Sequence, residues 1–229
     1  IVYKNKRKSS SRFTYVYNKG AKSTEVTLNA PGDALIPLNP HDGSVIQKVE
    51  TFVVTYSYPY MFDRILPQKL FGIESSFVAD NPSKVAELTD GYILKPNEIK
   101  LFANDKAGKA GRSKWYVADK SIIESGKEYL SEWQVVVSSA NAGGQKRDNQ
   151  IEIIDNHSAF GRSRVALGSF KTEKEAVNFY HYCKTTLIRF MFLMTDEALT
   201  SLGKKVPDIM DYSDQNTLVD FKKDLNPQL

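Results

Sequence analysis

The stretch from Thr172 to Met194 constrains the fold more than any other part of the chain. Thr172 stands three residues before Glu175, the spacing at which a threonine hydroxyl and a glutamate carboxylate together cap a helix start. Ala176, Phe179, Tyr180, Cys183, Leu187, Phe190, Met191 and Met194 then recur along one helical face. The pattern predicts one long helix over about 172–194, with its apolar stripe turned into a core. Cys183, inside that stripe, reads as a small buried apolar residue rather than a nucleophile.

Short β-type runs surround this helix. Residues 11–18 and 23–28 read as strands joined by a turn at 19–22, and 45–57 as a further strand or two. The proline- and glycine-bearing stretch 29–43 between them reads as a loop. Pro82 heads a short helix expected over 82–89. Residues 99–103, the start at 115–117, 133–139 and 151–154 complete the expected strands. The fold class is therefore α+β, a β-rich N-terminal part followed by a mixed sheet covered by the 172–194 helix. A soft boundary near residue 60 separates a basic β-rich segment, 1–60, from the rest, 61–229.

Charge is uneven along the chain. Residues 1–22 carry Lys4, Lys6, Arg7, Lys8, Arg12, Lys19 and Lys22 without one acidic side chain. That leaves 24 of the 31 basic residues against all 27 acidic ones in the remainder. Clustered cations suit a phosphate backbone, where each contact releases counterions. They equally suit a solvated strand edge. No apolar run is long enough to cross a bilayer, and a lone cysteine fits a reducing cytoplasm. The absence of an initiating Met and of a closing element suggests a piece of a longer chain.

Catalytic motifs are scarce. His41, His157 and His181 are scattered, and nothing matches a P-loop, a dinucleotide fingerprint or a nucleophile elbow. Pro207-Asp208 with Asp220-Phe221-Lys222 fits the loose pattern of an Mg-dependent nuclease, as does Asp90 with Glu98-Ile99-Lys100. Asn39-Pro40-His41 falls short of the loop that holds a target adenine in a methyltransferase. No catalytic centre, cofactor site or metal site is expected within these residues.

Groups suited to reading DNA are present. Sequence recognition needs cations for phosphates and forked polar side chains for base edges. Residues 141–150 offer Asn141, Gln145, Lys146, Arg147, Asn149 and Gln150 around Gly143-Gly144. The basic loop 104–114 ends in Arg112 and Lys114, and Arg162 and Arg164 follow Gly161. Gln145, Lys146, Arg147 and Asn149, with Asn141, are the expected base-reading or adjoining phosphate contacts. Arg112, Lys114, Arg162 and Arg164 are the expected phosphate contacts.

Five segments in order resemble one family. They are LPQKLFGIESSF at 66–77, KLFAN and KWYVAD at 100–119, EWQVVVSSANAGG at 132–144, SFKTEKEAVNFYHYCKTTLIRFMF at 169–192, and VPDIMDYSDQNTLVDFKKDLNPQL at 206–229. This order is similar to the C-terminal target-recognition domain, with a role like the TaqI-like specificity domain, of single-chain type II restriction–modification enzymes. The resemblance covers about residues 60–229. It implies a module that reads double-stranded DNA for an N6-adenine methyltransferase, with or without a fused endonuclease. Catalytic domains of the same parent chain would lie upstream of Ile1, using S-adenosylmethionine, and Mg if the parent cleaves. A scaffold module joining catalytic domains is the other open alternative beside the nuclease.

Overall fold

A computed structural model describes residues 42–108, 111–139, 151–194, 203–215 and 218–229. The expectations for 1–41 lie outside these residues, as do those for Asn141, Gln145, Lys146, Arg147, Asn149 and Gln150. The first described element corrects the sequence reading. Residues Asp42–Tyr56 form a helix, α1, not strands. Ile46, Val49 and Val53 fall on one helical face and are buried. Burial of that face overrides the β preference of the Val-Val and Val-Ile pairs.

A 3₁₀ turn at Met61–Arg64 and a short helix α2, Phe77–Asp80, bracket the apolar 66–77 segment, which buries Leu70, Phe71 and Ile73. The helix expected over 82–89 reduces to a 3₁₀ turn at Pro82–Lys84 that runs into strand β1, Val85–Glu87. Strands β2 (Glu98–Asn104), β3 (Ser113–Asp119), β4 (Trp133–Ser138) and β5 (Ile151–Ile154) stand where the apolar runs place them. Two further strands, β6 (Ser158–Phe160) and β7 (Arg164–Phe170), carry the chain to the helices.

These strands make two small sheets rather than one, in the orders β1-β3-β2-β6 and β5-β4-β7. Among the described strands only β2 and β6 pair in parallel, with Phe102 opposite Phe160. The three-stranded sheet is the middle layer. Val135, Val137, Ile151, Val165 and Leu167 face a core shared with the helices, while Val136, Ile154 and Ala166 face a second core shared with the four-stranded sheet. The alternation is the period-2 pattern of a strand buried on both faces.

The capping box at Thr172 forms as expected, with Glu175 N–H on the threonine hydroxyl and the Glu175 carboxylate on the Thr172 N–H. The single long helix does not. The stretch splits into α3, Glu173–Lys184, and α4, Thr186–Met194. Thr185 is extended between them, its hydroxyl donating to the Tyr182 carbonyl at 2.8 Å and accepting from the Ile188 N–H at 3.5 Å. A threonine that bonds backbone on both sides ends one helix and caps the next. The break preserves the buried stripe, since Ala176, Phe179, Cys183, Met191 and Met194 are all inside.

The C-terminal segment locks onto α3. Tyr182 donates its hydroxyl to the Pro207 carbonyl at 2.9 Å, and Asn178 Nδ2 donates to the Tyr212 carbonyl at 2.7 Å. Asp208 is buried and accepts from Arg64 Nε at 2.8 Å, Tyr212 hydroxyl at 2.7 Å and the Met210 N–H at 3.0 Å. The Arg64 guanidinium lies 5.2–5.8 Å from the ring centres of Phe170, Phe179 and Tyr212. A bulge in β7 leaves Gly168 opposite Val135, and the Arg64 stem passes so close that a Cβ at Gly168 would sit 2.9 Å from Arg64 Cδ.

Candidate nucleic-acid interface

Strand register decides which of the expected contacts come together. β3 runs antiparallel to β2 from Ser113 opposite Asn104, so the turn carrying Lys106 and Arg112 closes the end of β2. β6 runs parallel to β2 and ends at the same edge, and the Gly161 N–H donates to the Phe102 carbonyl at 3.0 Å. Arg162 follows, its N–H held by the Ile73 carbonyl at 2.9 Å. One residue further, the Ser163 carbonyl accepts the Ser139 N–H at 2.9 Å, where β4 ends. β5 begins beside that point, with Ile151 opposite Val137. The β2–β3 turn, the 161–163 turn and both feet of the 139–151 connection thus share one edge of the molecule.

The side chains there differ in availability. Arg112 is exposed, and its backbone N–H and carbonyl bracket Asp105, the N–H donating to Oδ1 at 2.8 Å. That bond leads a set of contacts that lowers the Asp105 carboxyl below its ordinary value. Lys114 pairs with Glu87 at 3.2 Å, both exposed, and that bond raises the lysine's pKa. Arg162, about half exposed at 49%, meets Glu74 at 3.2 Å. Glu74 also takes Lys69 at 2.7 Å, and first this bond and then the one to Arg162 lower its carboxyl pKa. Exposed pairs of this kind contribute little to stability, so a phosphate can displace either carboxylate. Among the described residues, Lys69, Lys106, Arg112, Lys114 and Arg162 stand on this edge with Asp105, Glu74 and Glu87.

Arg164 differs from its neighbour. Its side chain is only 13% exposed, it lies 4.9 Å over the Phe102 ring, and its Nη2 meets Glu152 at 3.4 Å. Burial lowers its pKa, against the pull of Glu152. A free phosphate contact is therefore not what its geometry offers. Lys69 and Glu152 were not singled out in the sequence, since neither belongs to a basic cluster or a polar loop. Only the fold brings them to this edge.

The nuclease pattern is dispersed among structural roles. Asp208 is enclosed by Arg64 and Tyr212, while Asp220 accepts from the Lys222 N–H at 3.0 Å and pairs with Lys223 at 3.0 Å. In the second pattern Lys100 pairs with Asp155 at 2.7 Å, and Glu98 takes the Tyr92 hydroxyl and the Lys95 N–H. Among the described residues no group of three His, Cys, Asp or Glu is placed to hold a metal ion. Cys183 is fully buried, and burial pushes its thiol pKa well up. No described helix is long and apolar enough to cross a membrane.

No family model, no curated protein and no solved structure matches the chain.

Proposed function

We propose that this chain is a sequence-specific recognition module for double-stranded DNA. It serves an adenine methyltransferase of the type II restriction–modification kind, with or without a fused endonuclease, whose catalytic domains belong to the same parent chain. The observation that carries the reading is the gathering of Arg112, Lys114, Arg162 and the feet of the 139–151 connection on one edge, from parts of the chain up to 50 residues apart. The cations of the edge bind phosphates and set the register of the duplex. The polar residues Asn141, Gln145, Lys146, Arg147 and Asn149, carried between those feet, read base edges. Target adenine must leave the helix for methylation, and clamped flanking DNA offsets the few kcal/mol that flipping costs.

The test is selection from random duplex DNA followed by affinity measurement across a salt series. Enrichment of one short motif is expected, with log K falling against log salt by about 0.9 per phosphate neutralised. Arg112→Gln with Arg162→Gln should lower that slope by about two while leaving the enriched motif unchanged. Absence of binding at low salt refutes the reading and favours the scaffold alternative. Cleavage that a chelator abolishes favours the nuclease.

A further inference from the structure

We propose that Arg164 is a positioning residue, whose ion pair with Glu152 straps the end of the three-stranded sheet and so fixes Ser139 and Ile151, where the chain leaves and rejoins it. The proposal rests on the DNA reading for its consequence and on the strand geometry for its mechanism. Sheet order places β4 between β5 and β7, so Glu152 and Arg164 stand two strands apart, about 9.5 Å at the usual strand spacing. Both lie on the face turned to the four-stranded sheet. Glu152 is opposite Val136, Arg164 is opposite Ser138, and these two β4 positions alternate onto that face. The arginine arm therefore crosses β4 at the point where the chain leaves the sheet after Ser139 and next to where it returns at Ile151.

Two contacts hold the arm in place: Glu152 Oε1 at 3.4 Å and the Phe102 ring at 4.9 Å. Nε is buried without a partner, as is the neighbouring Ser163 hydroxyl. Among the described residues no backbone carbonyl shares the load, so the strap opens when either charge is removed. Glu152 is itself two-thirds covered, and burial raises its pKa against the pull of Arg164. The pair works in a low-dielectric crevice between the two sheets, where an ion pair is screened little by salt. The contrast with Arg162, half exposed two residues earlier, separates a phosphate-binding arginine from a strap.

Arg164→Met, Arg164→Lys and Glu152→Gln are measured beside the unaltered chain. The readouts are discrimination between the selected motif and random duplex, the salt slope, and amide exchange at Ser138, Ser139 and Glu152. Arg164→Met and Glu152→Gln are each expected to cut discrimination about tenfold with no change in slope, and Arg164→Lys to recover most of it. Exchange at the three amides should rise at least tenfold in the first two variants. A slope lowered by about one in Arg164→Met, with Glu152→Gln silent, makes Arg164 a phosphate contact and overturns the strap. So does unchanged discrimination in both. If the unaltered chain binds no DNA, the recognition reading fails and amide exchange alone decides: unchanged exchange in the near-isosteric Glu152→Gln overturns the strap as well.

Discussion

Replacing Arg64 by methionine should weaken the protein more than any surface change, because it strands a buried carboxylate. Asp208 has a side chain 5% exposed and takes its counter-charge, among the described residues, from Arg64, itself 22% exposed. Removing one partner of a buried pair costs about 3–5 kcal/mol, and the partial exposure of the arginine sets the expectation near the lower bound, about 3 kcal/mol. Methionine keeps an unbranched stem and a sulfur against Phe170, Phe179 and Tyr212, so most of the packing survives and charge dominates the loss. With a urea slope of about 2.5 kcal/mol/M, the denaturation midpoint falls by about 1.2 M. Asp208→Asn on the same background removes the orphaned charge and should return about 1–2 kcal/mol, a coupling that a double-mutant cycle reads directly. A midpoint shift under about 0.3 M, or strict additivity in the cycle, would refute the view that this pair clips the 206–214 segment to the core.

Other expectations follow from equally local features. Gly168→Ala sets a methyl 2.9 Å from the pinned Arg64 stem and 3.1 Å from the Phe170 ring, so urea titration should show a loss of about 1–3 kcal/mol. Thr172→Ala removes half of a reciprocal cap and should cost about 1 kcal/mol by the same measurement, with Thr172→Ser nearly neutral. Burial disfavours the charged form of Asp155, but Lys100, Ser158 and the His157 N–H together leave its pKa below the ordinary value. A depressed carboxyl stabilises the fold above its unfolded pKa of about 3.9, and that contribution is lost as pH falls through the folded value. The stability gap between the unaltered chain and Asp155→Asn should thus be constant above about pH 5 and close below pH 4; a gap that widens on acidification would contradict the assignment.

The β2, β3, β4 and β5 segments were legible because each is an apolar run that the sheet buries, and the α3 start because its cap is written in adjacent residues. What escaped was whatever depends on distant partners. The valines of α1 favour a strand locally, and only the core shared with β4, β7 and the later helices makes their helical face pay. β7 reads poorly because Ala166, opposite Val136, and Gly168 are small, and Gly168 is small because the Arg64 stem and the Phe170 ring crowd it. The long 172–194 periodicity hid its break, since Thr185 interrupts the backbone without interrupting the stripe. For the candidate interface, the basic character of Arg112 and Arg162 was visible but their shared edge was not. That edge follows from the parallel pairing of β2 with β6, which no local pattern encodes. Nor did sequence distinguish Arg162 from Arg164, two residues apart and alike in kind, one in a turn and the other beginning a strand that faces the crevice between the sheets.

The middle sheet has one more consequence. Its strands supply side chains to both cores, alternating except at the β7 bulge, so neither core can melt while the other keeps its wall. The chain's two tryptophans stand on opposite sides of this partition, Trp133 against the helical core and Trp115 against the core shared with the four-stranded sheet. Each is therefore a native fluorophore reporting on its own half. Emission from a Trp115→Phe and a Trp133→Phe variant should trace one superimposable transition, because a wall with two faces falls only once.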